Sequence, residues 1–469
     1  MSRSRALLTA ALSAVLLVPA SALADPVQKA GERFVQKGVE QAAATCRRDP
    51  VGADECAEVL GTPDASAAAV DAYEGSETSR LLDLQRDLGD RLPMQAGLWV
   101  GTHNSANSTS ERATLSQSDS NQQLSLTDQL RLDVRSLELD AHWWPSVTSA
   151  GQAPVLCHAQ GAPAHVGCTT ERLLAAGLAE IAAWLEAHPR EVVLLYLEDH
   201  LEGQAGHDKA AADVVAAFGD RLYAPADGEC TQLPLTLTRD AVRAAGAQVV
   251  VMTGGCRTGV GTAWHGVAFA ETQRKEGRPV GYGGYGPTSG DCGGLDRAAQ
   301  VADDRVFRRW FEDSTFVNPA TTLVGQASLD DGLTPETVAA MVRCGVDLLG
   351  LDQLVPSDGR LDALVWSFAP GQLDAAAGSV AVQRASDGRW ESTSVSGRLA
   401  AACQTADGAW LVTAPGPRVS AAGRCEELGA AFSVPRRGRD AQLLLEAQQA
   451  AGAGRVWLPL TSAGAGTWR

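Results

Sequence analysis

The sequence predicts an α/β fold: a distorted TIM-type barrel of parallel strands and covering helices, followed by a small C-terminal domain of mixed α/β or β-rich character. Three observations predict it. Short apolar runs alternate with amphipathic helical stretches between about residues 93 and 365, the pattern of a parallel sheet wrapped by helices. Several of those runs end abruptly in polar residues, as strands do where a barrel builds its site. From Trp366 onward the pattern changes to short strands separated by turn residues.

Residues 1–24 read as a secretory signal peptide. Arg3 and Arg5 give the positive start, Ala6 to Val18 the apolar run, and Ala22-Leu23-Ala24 the small-residue cleavage site. No later apolar run reaches the roughly 18 residues a membrane helix needs, so a secreted, extracellular monomer without a transmembrane segment is expected. Ten cysteines suit an oxidising compartment. Close spacing pairs Cys46 with Cys56, Cys157 with Cys168 and Cys403 with Cys425, and leaves Cys230, Cys256, Cys292 and Cys344 unassigned. The formal charge of −17 excludes nucleic-acid binding and docking on anionic lipid through a basic patch. Any transient membrane-surface contact must then use apolar side chains or a bridging cation.

In chain order, residues 25–92 are polar and helical in pattern, an N-terminal extension packed on the barrel of residues 93–365. Residues 134–144, VRSLELDAHWW, form the most telling strand. A period of two puts Glu138 and Asp140 on one face, and Leu137 and Leu139 on the other. Two acids so close need a cation or a shared proton. Next, PVLCHA reads as a strand, and Thr169 or Thr170 as the cap of a helix with Leu174, Leu178, Ile181 and Leu185 at helical spacing. EVVLLYLEDH is a buried strand whose polarity starts at Glu198. AADVVAAF and RDAVRAAG are helices, AQVVVMTGG a strand, GYGGYGPTSGDCGG a Gly-rich connector, ETVAAMVRCG a helix and VDLLGLDQL the closing strand. The domain of residues 366–469 has strands in SVAVQRASDGRW, AACQTADGAWLVT and RVWLPL, with one helix near Asp440 to Ala451.

The polar strand ends collect His103, Asn104, Glu138, Asp140, His158 and Glu198. Three carboxylates and an amide oxygen are hard ligands that suit calcium or magnesium, and two histidines outside the metal shell can move protons near neutral pH. In order and spacing, THNS at Thr102 to Ser105, LELD at Leu137 to Asp140, CHAQG with His158, and LEDH at Leu197 to His200 resemble the calcium-dependent phosphatidylinositol-specific phospholipases C and related barrel phosphodiesterases. The match covers Gly97 to His200. The resemblance implies that Asn104, Glu138, Asp140 and Glu198 hold Ca2+. It implies that His103 stabilises the phosphorane-like transition state and that His158 protonates the leaving glycerol oxygen. Glu138 would help deprotonate the inositol 2-hydroxyl. The implied substrate is a phospholipid or other phosphodiester, and the implied products are diacylglycerol and a cyclic inositol phosphate.

No basic residues answer to those that grip polyphosphorylated head groups in the animal enzymes, which points to phosphatidylinositol itself or a simpler phosphodiester. Glycerophosphodiester phosphodiesterases, which also pair His with Glu-x-Asp, are the alternative enzyme reading. His142 fits no family position and is read as structural; Trp143 and Trp144 suit either a membrane surface or the core. The C-terminal stretch resembles pieces of a C-type lectin module in an unusual order, so a non-catalytic surface glycan-binding protein is the third reading.

Overall fold

The computed structural model describes residues 65–108, 110, 120–145, 149, 151–158, 168, 171–257, 262–270, 309–312 and 333–469, and the backbone of 274–275 and 278–279. The signal peptide, Cys46 and Cys56, Thr169 and Thr170, and the Gly-rich connector lie outside the described residues.

Two helices, α1 (Ala67–Tyr73) and α2 (Glu77–Gly89), precede the barrel; Ser66 and Ser76 cap them with their side chains. The barrel strands are β1 (Trp99–Thr102), β2 (Ser136–Pro145), β4 (Val193–His200), β5 (Val249–Thr253), β6 (Phe269–Ala270), β9 (Arg309–Phe311) and β10 (Leu348–Leu351). They run parallel in the order β6-β5-β4-β2-β1-β10-β9. Between them lie a short antiparallel pair, β7 (Arg274–Lys275) with β8 (Arg278–Pro279), and the covering helices. The helices are α3 (Leu126–Arg131), α4 (Leu174–Ala187), α5 (Gln204–Phe218), α6 (Arg239–Ala244), α7 (Pro335–Arg343) and α8 (Gly359–Leu364).

The sheet curls until side chains from distant strands meet inside it. Tyr196 of β4 lies 6.3 Å, ring to ring, from Phe311 of β9, and both join Trp99, Leu194, Met252, Phe269 and Leu348 in one apolar cluster. Odd positions of β2 face outward: Leu137 and Leu139 pack among Leu178, Ile181 and Leu185 of α4. Even positions face the interior, so Glu138 and Asp140 do share one face. The four helical-spacing residues of α4 are all buried, though the helix starts after Leu173, which provides no side-chain cap.

One strand differs from expectation. PVLCHA contributes β3 (Gln152–Leu156), which turns back antiparallel on β2 and takes no place in the parallel series. The crossover unit is therefore β2, α4 and β4, with β3 raising the edge of β2 into a hairpin.

The second sheet is mixed, in the order β12-β11-β16-β13-β14. Its strands are β11 (Val380–Arg384), β12 (Trp390–Thr393), β13 (Ala400–Gln404), β14 (Trp410–Val412), β15 (Ala431–Phe432), β16 (Arg455–Gly464) and β17 (Thr467–Trp468). Helices α9 (Ala421–Glu426) and α10 (Gly438–Ala450) complete it. It is held to the N-terminal helices: the Gln85 amide bonds Leu364, Trp366 and Ser367 main chain, and Arg80 pairs with Asp374 at 2.7 Å. Cys157–Cys168 and Cys403–Cys425 are bonded as expected, the unassigned Cys230 pairs with Cys256, and Cys344 is disulfide-bonded too. Among the described residues no helix is long and apolar enough to cross a membrane.

Candidate active site

The strand ends bring the polar residues together at the C-terminal mouth of the barrel. β1 runs into His103 and Asn104, and Asn104 turns left-handed at φ +45°, a conformation Asn tolerates better than most residues. That turn aims its main-chain N–H at Glu138 Oε2, 3.2 Å away. On β2, Glu138 and Asp140 point inward, and Asp140 stands opposite Glu198 of β4 in register. His158 follows β3 by two residues and is half-buried; the Cys157 N–H on the Asp140 carbonyl and the Cys157–Cys168 bond tie down its chain.

His103 lies between two acids. Its Nδ1 is 3.3 Å from the Asp352 carboxylate and its Nε2 is 3.6 Å from Glu138. Asp352 also accepts from Asn121 Nδ2 at 3.0 Å and Gln122 Nε2 at 3.3 Å. An ionised carboxylate can only accept, so His103 carries a proton on Nδ1. Asp352 follows the last residue of β10, where strand partners run out. A buried ion pair takes over: its N–H donates to Glu312 and its carbonyl accepts from Arg360 Nη2, while Arg360 Nη1 holds Glu312.

Electrostatically the mouth carries an excess of acid. Burial pushes the Asp140 carboxyl well up, and the charges of Glu198 and Glu138 add to the shift. Burial also pushes Glu198 up, but hydrogen bonds from His200 and Asp140, with the nearby imidazoles, bring it down to about 2. The hydrogen bond to Glu198 raises His200 against its own burial. The two carboxyls are thus pushed in opposite directions, as paired carboxylates are when two like charges sit side by side.

Amide orientations bear on whether the donor set suits a hard cation. Asn121 donates Nδ2 to Asp352, so its Oδ1 faces Asn104 and Asn107, and Asn107 Nδ2 donates to it at 2.8 Å. Asn104 must then present its nitrogen to Asn121 Oδ1, at 3.1 Å. Turning the Asn104 amide over would give its other end to Asp140, but would set oxygen against oxygen at Asn121. The Asn104 oxygen therefore faces both Asp140 oxygens, at 2.9 and 3.2 Å, a contact that needs a proton on Asp140 or a cation between them. Asn104, Asp140 and Glu198 make a contiguous oxygen set that fits such an ion, whereas Glu138 turns toward His103. Among the described residues no three His, Cys, Asp or Glu group as a metal site by themselves.

The family model described as the Rv2075c PI-PLC-like domain matches residues 62–358. The chain is also 40% identical, over 437 residues, to the uncharacterized proteins Rv2075c and MT2135 of two Mycobacterium tuberculosis strains, covering 89% of this chain and 87% of each of them. This chain belongs to that PI-PLC-like family. Solved structures similar to this PI-PLC-like chain include a Listeria monocytogenes phosphatidylinositol-specific phospholipase C. It is 15% identical with TM-score 0.36, and the match covers 58% of this chain and 94% of that one. A Staphylococcus aureus enzyme of the same description is 12% identical with TM-score 0.41, covering 62% and 98%. A calcium-dependent one from Pseudomonas sp is 16% identical with TM-score 0.33, covering 56% and 91%.

All six sequence-predicted residues of the PI-PLC-like site lie at this mouth. Sequence reasoning missed Asp352, Asn121, Gln122, Asn107 and His200. Asp352 and His200 did carry a signal, since each is polar at the end of an apolar strand; the three amides come from connecting segments with no motif of their own. His142 stacks on His200 at 4.4 Å between ring centres and is fully buried, in keeping with a structural part.

Proposed function

We propose that this chain is a secreted, calcium-dependent phospholipase C that cleaves phosphatidylinositol to diacylglycerol and a cyclic inositol phosphate. The observation that carries the reading is the pair of histidines on either side of one acid cluster, His103 backed by Asp352 and His158 reached through Asn107. Asn107 Nδ2 lies 3.2 Å from His158 Nδ1. Because that amide end donates, His158 Nδ1 accepts, and the proton of the neutral ring sits on Nε2.

The inositol 2-hydroxyl oxygen bonds to phosphorus and its proton passes to Glu138. The bond from phosphorus to the glycerol oxygen breaks, and that oxygen takes the Nε2 proton of His158. His103, its Nδ1–H held by Asp352, would meet the charge that develops on the phosphoryl oxygens as an imidazolium, since Nε2 can donate to them only when it too carries a proton. Asn104, Asp140 and Glu198 would hold Ca2+, with Glu138 beside them turned toward His103; the bound ion would supply positive charge for an anionic phosphodiester. The predicted signal peptide and the bonded cysteines support an extracellular place.

A lipid panel with metal control tests the reading. Phosphatidylinositol should yield cyclic inositol phosphate in calcium and none in excess EGTA. Undiminished turnover in EGTA would remove the calcium mechanism, and cleavage of glycerophosphocholine in preference to intact lipid would favour the glycerophosphodiesterase.

A further inference from the structure

We propose that Asn121 is the positioning residue of this site: a single amide sets the His158 tautomer, the face that Asn104 turns to Asp140, and the carboxylate behind His103. The inference rests on reading His103, His158 and Asn104 as working groups.

Asn121 is fully buried and sits where the ends of β1 and β10 meet. Its Nδ2 donates to Asp352 Oδ2 at 3.0 Å. Its Oδ1 accepts from Asn104 Nδ2 at 3.1 Å and Asn107 Nδ2 at 2.8 Å. Its carbonyl accepts from Gln353 N–H at 2.6 Å, at a residue bent left-handed with φ +54°. Next to it, Gln122 Nε2 donates to the His103 and Leu351 carbonyls at 2.7 and 2.9 Å, so the segment is wedged between the ends of β1 and β10.

The logic runs outward from Asp352, which can only accept. That fixes the Asn121 amide, and the Asn121 oxygen then fixes two more amides, since turning any one of the three would press oxygen on oxygen or N–H on N–H. Asn107 fixed this way presents N–H to His158 Nδ1 and so places the ring proton on Nε2, the edge that can reach a leaving oxygen. Asn104 fixed this way keeps its oxygen for Asp140. Asn121 thus joins Asp352, Asn104 and Asn107 through one buried amide. A residue with two acceptors or two apolar faces breaks at least one arm, and a networked amide of this kind acts as a unit.

Imidazole tautomers in the protein labelled with 15N-histidine, observed by NMR without added metal at a pH where the rings are neutral, test the inference independently of turnover. In the wild type, His158 should be a single Nε2–H tautomer and His103 a single Nδ1–H tautomer. Asn107→Leu should scramble His158 alone. Asn121→Leu should scramble His158 equally, weaken calcium binding by calorimetry, and lower kcat by ~10- to 100-fold with little change in KM, as small displacements of working groups do. Should Asn121→Leu fail to fold, Asn121→Ser, too short to reach all three partners, should show the same His158 change. A His158 spectrum in a folded Asn121 variant that matches the wild type overturns the inference. Absence of phosphodiesterase activity or calcium binding in the wild type would instead remove the functional reading, and the histidine spectra would still decide the role of Asn121.

Discussion

Glu191→Gln should cost about 3 kcal/mol of stability near neutral pH, and the cost should vanish in acid. Glu191 sits at the N-terminal end of the barrel, where Arg135 Nε donates to it at 2.7 Å and Arg86 of α2 approaches at 3.6 Å while also holding Asp133 at 3.0 Å. Burial pushes the Glu191 carboxyl up, but the two guanidiniums outweigh it and bring it from 4.5 down to about 2. A depression of this size corresponds to about 3 kcal/mol of favourable interaction with the charged form. The sign follows from the direction. Folding lowers the carboxyl's proton affinity, so the contribution is complete above about pH 4.5 and is lost as pH falls toward 2. Gln keeps the shape and loses the charge. Urea unfolding of both proteins from pH 7 to pH 3 would measure the gap, which should narrow on acidification. A gap that stays constant or widens would refute the argument. Because stability in such barrels gathers at this end and chemistry at the other, turnover of folded Glu191→Gln should match the wild type.

Three further outcomes are expected. His158→Ala should lower kcat on phosphatidylinositol by ~10²- to 10⁴-fold, the usual share of a general acid, and a p-nitrophenyl ester that needs no leaving-group proton should recover most of the loss. Asp140→Asn should weaken calcium binding by calorimetry, since it removes one carboxylate from the oxygen set. Gly350→Ala places a methyl carbon 2.3 Å from Phe311 Cδ1, and displacing that buried ring should lower stability by about 1–3 kcal/mol, read as a fall in Tm.

What was legible in the sequence was local periodicity. A spacing of two put Glu138 and Asp140 on one face, a spacing near 3.6 gave the buried side of α4, and abrupt polarity at Glu198 marked a strand end. The turn of β3 back on β2 was legible in principle but went unread: six residues separate Pro145 from Gln152, too few for a parallel crossover, which needs about a dozen. The amide network could not be read, because Asn121 and Asp352 are 231 positions apart and only the folded barrel brings them together. Asp352 itself stood in plain view at the end of VDLLGLDQL, and what hid it was that its partner, His103, arrives from the first strand of the series.

Charge is divided unevenly between the two ends of the barrel, and the division bears on the chemistry. At the N-terminal end, Arg86, Arg135 and Arg239 lie among Glu191, Asp133 and Asp90, so the buried charges nearly balance. At the mouth, Glu138, Asp140, Glu198 and Asp352 gather around the imidazoles of His103 and His200, and burial with the neighbouring acids pushes the Asp140 carboxyl well up. A phosphodiester is itself an anion and would add to that negative charge. Protonating the histidines to compensate would remove the neutral His158 that its contact with Asn107 requires. On the proposed reading, a divalent cation held by Asn104, Asp140 and Glu198 would answer both demands, offsetting the paired carboxylates and offering the phosphate positive charge while His158 keeps its neutral ring.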